Sequence, residues 1–293
     1  MKNNRIKYAV GALTFTMAAS LCMPQLVQAD GVDKPYLAIG ADLNSTELAQ
    51  VYALLGVDSD HLDDYEIVKI TNQDEHDYLD DYLKSDIIGS RALSSVLIEK
   101  TSEGSGIHVD THNITYCSEG MYENALTTAG IADADVTVAG PFDITGTAAL
   151  VGAMKAYEDM TGEEIDEEVK DTATNELVVT GELAEEIGDS DTAEQFIAML
   201  KEYIAEHSDA DESDIEDAIE SCEEELDFEL TEDQEKQISD LMEKLGDIDI
   251  DVDQLKEQAQ EIYDKLSDIE IDSQGFFDKI MQMIKSIFDI FGK

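Results

Sequence analysis

Tryptophan is absent from the 293 residues, and aromatic residues make up only 6%. So sparse a set argues against a carbohydrate platform built on stacked rings. Arginine is almost missing too: beyond the first 29 residues Arg91 stands alone. Lysine and arginine together number 18 against 69 aspartates and glutamates, a formal charge of −51. Such a surface repels DNA, RNA and anionic lipid, so nucleic acid is excluded as a partner. It favours solubility and weak condensation of divalent cations, and it reads first as a solvated surface. Cysteine is scarce. There is no C-x-x-C pair and no zinc-ligand spacing, and no metal or cofactor is expected. No Gly-x-Ser-x-Gly elbow, phosphate-binding loop, dinucleotide fingerprint or His-Glu-x-x-His occurs, so no catalytic residue stands out.

The N-terminus has the pattern of an export signal. Lys2, Arg5 and Lys7 precede an apolar stretch at residues 9–23, Pro24 breaks it, and Val27-Gln28-Ala29 offers small residues for cleavage before Asp30. The apolar stretch is shorter than the roughly 20 residues a spanning helix needs. Cys22 lacks the flanking residues of a lipidation site. A secreted or cell-wall-associated protein is expected, without stable membrane insertion after cleavage. The three basic residues of the signal leave 15 for the remainder, against all 69 acidic ones, for a charge of −54. Two cysteines remain, Cys117 and Cys222. In an oxidising compartment they could pair or stay as thiols, and the spacing does not decide.

The expected fold class is α+β. A two-layer α/β domain with a central hairpin covers residues 30–160, and an acidic all-helical domain covers 161–293. Strand-like runs fall at 36–40, 66–70, 92–100, 106–115 and 135–139. Helical patterns fall near 45–55, 74–83, 121–129 and 147–160. The Gly-containing loop 101–105 between two β-prone runs predicts the hairpin. A helix, a glycine, an acidic stretch and a strand recur in the two halves, suggesting a weak duplication. Beyond residue 161 strand signals nearly vanish. Phe196, Ile197, Leu200 and Ile204 share one helical face. Lys244-Leu245-Gly246-Asp247-Ile248-Asp249 returns 21 residues later as Lys265-Leu266-Ser267-Asp268-Ile269-Glu270, and the apolar residues from Ile238 to Ile269 alternate three and four apart. Gly246 and Gly275 oppose a single rod. Short packed helices are expected instead. The stripe Phe276, Phe277, Ile280, Met281, Ile284, Ile287, Phe288 and Phe291 is expected to pack internally, the alternative being a membrane-surface helix.

Three patterns imitate binding sites. His108, Asp110 and His112 share one face of a strand, but the outer two stand about 13 Å apart, too far for one ion. Asp209, Asp211, Ser213, Asp217 and Glu220 imitate a calcium loop. Asp214 stands where the turn needs glycine, so a capped acidic helix start is expected. Thr145, Gly146 and Thr147 precede a helix whose first amides can hold an anion, and Arg91 lies beside Gly89-Ser90 at the entry to the hairpin's first strand. If they meet they form the one plausible anion-binding site. Otherwise they are a helix cap and a salt bridge.

The strings Gly40-Ala41-Asp42-Leu43, Ile88-Gly89-Ser90-Arg91-Ala92-Leu93-Ser94-Ser95-Val96, Gly104-Ser105-Gly106-Ile107, Thr111-His112-Asn113-Ile114-Thr115, Met121-Tyr122-Glu123-Asn124-Ala125-Leu126, Ala129-Gly130-Ile131, Gly140-Pro141-Phe142 and Gly146-Thr147-Ala148-Ala149-Leu150 resemble an exported family of Gram-positive bacteria, domain of unknown function 1002. The resemblance is strong over residues 35–160 and loose over the tail. It implies an export signal and an extracytoplasmic role, and it brings no catalytic residues. A non-enzymatic interaction module contacting a protein or wall component is expected. The alternative is an envelope hydrolase acting on wall polymer, for which Arg91, His112 and Thr145 would converge on a pocket.

Overall fold

The structure is a computed structural model, and it describes residues 34–248 apart from 103, 132, 162, 163, 208, 209 and 227. The segment expected to be an export signal, the second copy of the 21-residue repeat and the Phe276–Phe291 stripe lie outside the described residues. Those residues form a mixed α+β fold with a helical C-terminal part. The strands are β1 (Tyr36–Gly40), β2 (Glu66–Ile70), β3 (Ser95–Lys100), β4 (Ile107–Ile114) and β5 (Ala134–Ile144). The helices are α1 (Ser45–Leu54), α2 (Asn72–Leu79), α3 (Ser85–Ile88), α4 (Glu119–Thr128), α5 (Thr147–Thr161), α6 (Glu167–Ile187), α7 (Ser190–Glu206), α8 (Glu212–Leu226) and α9 (Glu232–Asp247). The sheet order is β2-β1-β3-β5-β4.

The expected hairpin between β3 and β4 does not form, because β5 lies between them. β5 pairs antiparallel with β3 and parallel with β4. Two causes are visible. The loop after β3 is tied to the entry of β5: the amides of Ser105 and Gly106 donate to Asp133 Oδ1 at 2.7 and 3.1 Å, and Thr101 N–H donates to Asp133 O. The side chains then sort the strands. β5 buries Val136, Val138 and Ala139 and suits the sheet interior, whereas β4 alternates buried Ile107 and Val109 with exposed His108 and Asp110 and suits an edge. Nor does Gly140-Pro141 end β5. The register breaks between His112 and Ile114, so Pro141 sits in the irregularity, where its missing N–H costs no ladder bond.

The two similar halves emerge as two parallel strand–helix–strand units, β1–α1–β2 and β4–α4–β5. Both helices stop in the same way. Gly56 and Gly130 take φ of +70° and +79°, and the next amide reaches back, Val57 to Tyr52 O and Ile131 to Leu126 O.

Most of the sheet is two-layered. Ala38, Val96, Ile98, Val136 and Val138 meet α4 and α5 in the main core. On the other face α1 covers Leu37, Ile39, Leu97 and Ala139, adding a partial third layer because β1 and β3 are apolar on both sides. The expected face of α7 is buried, with Phe196, Ile197, Leu200 and Ile204 in a second core beside Ile238, Leu241 and Leu245 of α9. Those three are the first members of the heptad series. α6 and α7 lie on α4, whose residues from Gly120 to Thr128 are all buried, so sheet and helices share one compact unit.

Cys117 belongs to the first core and Cys222 to the second, and no disulfide joins them. Asp211 caps α8 through the amides of Ser213 and Asp214, as the helix-start reading of that acidic run expects. Among the described residues no helix is long and apolar enough to cross a membrane.

Candidate functional site

β1, β2, β4 and β5 run parallel and end at one edge of the sheet, where antiparallel β3 begins. Loops leaving that edge diverge to α1 on one face and α5 on the other, the arrangement in which open α/β sheets hold ligands. A cavity of about 250 Å³ lies there. Arg91, Thr145, Gly146 and Thr147 all line it. His112 does not: it is exposed on β4 opposite Ala139.

The Arg91 guanidinium, the Thr147 hydroxyl and the Ala149 amide already have internal partners. Arg91 Nη2 donates to Glu47 Oε2 and to Asp42 O, both at 2.7 Å, and Nη1 donates to Glu47 Oε1 at 3.4 Å. The guanidinium beside Glu47 holds that carboxyl below its usual range. Asp42 also accepts the amide of Ala92 at 2.9 Å, which fastens the end of β1 to the approach to β3. Gly40 makes this possible, since a Cβ there would stand 2.5 Å from Ala92 O.

The start of α5 is equally occupied. Thr147 Oγ1 donates to Glu75 Oε1 at 2.8 Å, and Ala149 N–H donates to Ser94 Oγ at 3.0 Å. Tyr122 Oη donates to Gly146 O at 2.6 Å. Gly146 has φ of +102°, and a Cβ would meet Tyr122 Oη at 2.6 Å. The carboxylate of Glu75, 1% exposed, is held against the first turn of α5 by the Thr147 hydroxyl, close to the positive end of the helix dipole. Burial pushes its pKa up, partly offset by hydrogen bonds from Thr147 and Asn72. Burial also pushes the nearby Cys117 thiol up to about 12, so it is not a thiolate nucleophile near neutral pH.

Sequence reasoning missed Glu75, Ser94, Asp42 and Glu47. The signals were local: Thr71 and Asn44 each open a capping box, with Asp74 and Glu47 as the reciprocal acids. Those boxes place α1 and α2, but nothing separates Glu75 from the other carboxylates in the sequence.

Glu75 yields a pH prediction. A carboxyl whose folded pKa is raised favours the folded state at low pH, and that contribution is lost as pH rises through the folded pKa. Glu75→Gln is therefore expected to stabilise the protein near neutral pH, by less or not at all in acid. Urea denaturation at two pH values measures it. Equal effects at both would remove the ionisation from the explanation.

His108, Asp110 and His112 are exposed along one face of β4, as a solvated strand face expects, with His108 Nδ1 3.7 Å from Asp135 Oδ1. Among the described residues no group of three or more His, Cys, Asp or Glu is placed to hold a metal ion.

No solved structure matches the chain. It is 38% identical over 273 residues to an uncharacterized protein, YpuA, of Bacillus subtilis (strain 168), covering 92% of each chain. The profile of the family described as a protein of unknown function, DUF1002, matches residues 39–262 and so spans sheet and helices alike. The chain belongs to the DUF1002 family.

Proposed function

We propose that the protein is an exported, non-catalytic interaction module of the cell envelope or its surroundings, acting by contact with a protein or wall component. The observation that supports this reading is the state of the crevice at the sheet edge. Arg91, Thr147 and Ser94 are bound to Glu47, Glu75 and the Ala149 amide. These bonds join loops from different strands, which suits a structural latch. The export pattern at residues 1–29 and the charge of the remainder support a soluble extracytoplasmic role.

The test is affinity capture with the mature chain, residues 30–293, from culture supernatant and wall extract. A saturable protein or wall partner is expected, retained when Arg91 is replaced by alanine. Recovery of no partner, together with turnover of a wall substrate, would defeat the reading.

A further inference from the structure

A groove of about 700 Å³ lies between α2, α6 and the end of α9, away from the sheet-edge crevice. Its wall repeats a pair of residues: Asp77-Tyr78 on α2 and Asp81-Tyr82 in the turn that follows. Leu83 N–H donates to Leu79 O at 2.8 Å, which keeps the chain near helical through that turn. Side chains four apart then stand about 5–6 Å from one another along the wall. Both tyrosines are half-buried.

These rings already hold ammonium groups. Lys155 and Lys170 lie 5.7 and 5.9 Å from the centroid of Tyr78, and Lys244 lies 5.0 Å from that of Tyr82. Lys244 also reaches Tyr82 Oη at 3.0 Å and Asp171 Oδ2 at 3.1 Å. The electron-rich faces and carboxylates are thus arranged for alkylammonium. The supply of internal cations is short, however: six carboxylates line the groove against two lysines, Lys170 and Lys244. Thr174, 1% exposed, also lines it, and its hydroxyl has no hydrogen-bond partner among the described residues. A buried hydroxyl left in that state costs free energy that a ligand N–H would recover.

We propose that this groove binds a linear polyamine. Ammonium groups three or four methylenes apart match the one-turn repeat of Asp77 and Asp81. The methylenes match the tyrosine rings, and the opposite wall carries Glu167 and Glu168, the oxygens of Asp171 being taken by Tyr82 and Lys244. A compact divalent ion has no use for the rings or for the repeat.

The experiment is calorimetric titration of the mature chain with spermidine at physiological ionic strength, beside magnesium chloride at equal charge. One saturable spermidine site is expected. It should weaken by roughly tenfold or more in Asp77→Asn/Asp81→Asn and again in Tyr82→Leu. Glu229→Gln/Glu232→Gln, which removes two charges from the acidic groove between α8 and α9, should leave it unchanged. Equal loss in both double variants, displacement by magnesium at equal charge, or no saturable heat would overturn the proposal in favour of general cation condensation. Thermal melts of each variant show whether it is folded, and the two surface double variants carry the test if Tyr82→Leu is not.

Discussion

Lys201→Met is expected to destabilise the protein by about 3–5 kcal/mol, the cost of leaving one member of a buried ion pair without its partner. Lys201 is 3% exposed and Glu176 is fully buried. Lys201 Nζ donates to Glu176 Oε1 at 2.7 Å and to Asn124 O at 3.0 Å, and Thr128 Oγ1 donates to the other oxygen of Glu176. Asn124 and Thr128 are on α4, Glu176 on α6 and Lys201 on α7, so the pair sits where the helical layer meets the sheet-bearing part. Burial pushes the Glu176 carboxyl up and the Lys201 ammonium down, each opposed by the other's charge. Without the lysine, only the Thr128 hydroxyl still opposes the burial of Glu176, and its folded pKa rises further. Stability of the variant should therefore fall as pH rises through that value. Glu176→Leu/Lys201→Met removes both charges and is expected to lie within about 1–2 kcal/mol of wild type, since an apolar pair of similar volume often replaces a buried ion pair at little cost. Urea denaturation of the single and double variants measures the coupling. Additive losses would show that the pair is not a unit.

The second large effect is expected at Gly40. A Cβ there would stand 2.5 Å from Ala92 O and 2.8 Å from the carbonyl carbons of Ala92 and Leu93, all backbone atoms. No side-chain rotation relieves such contacts, so the end of β1 and the approach to β3 must separate. That separation would strain the bonds from Gly40 N–H to Ser95 Oγ and from Ala92 N–H to Asp42. Gly40→Ala is expected to cost about 2–3 kcal/mol, the range of overpacking in a tight core. Gly246→Ala is the control. The nearest atom to a Cβ there is Ile204 Cγ2 at 3.6 Å, an ordinary contact, and alanine favours the helix. It should be neutral or slightly stabilising by thermal denaturation. A Gly40→Ala variant that melts with wild type would show that the two backbones are not in close contact.

Much of the fold is legible in the residues, because local signals and burial agree. The apolar run at residues 36–40, the glycine stops at Gly56 and Gly130, and the single apolar face of α7 each state their element plainly. Strand pairing is another matter. A Gly-containing loop between two β-prone runs looks like a hairpin whatever lies further along the chain. The anchoring of Thr101, Ser105 and Gly106 on Asp133, together with the deeper burial of β5, excludes that pairing. α6 has no clean stripe, because it buries Thr172, Thr174, Glu176 and Thr180 along with Leu177 and Val178. Its place under α4 depends on partners from two other helices, which periodicity cannot report.

The candidate site was half legible. Arg91 and Thr145–Thr147 do line one cavity, because the strand order brings the β3 approach and the β5 exit to one edge. The acids that occupy them were hidden. Among 69 acidic residues, Glu75 differs from the rest only by what folding places beside it, and the capping box that marks Glu47 says nothing of its bond to Arg91.

On the proposed reading the sheet-edge crevice joins loops and performs no chemistry. Its most direct test is release of soluble fragments from purified wall polymer incubated with the mature chain, beside the Glu75→Gln and Arg91→Ala variants. No release above the protein-free control is predicted for any of the three. Sustained release by the wild-type chain that disappears in Glu75→Gln, with that variant still folded, would contradict the account and make the crevice an active site.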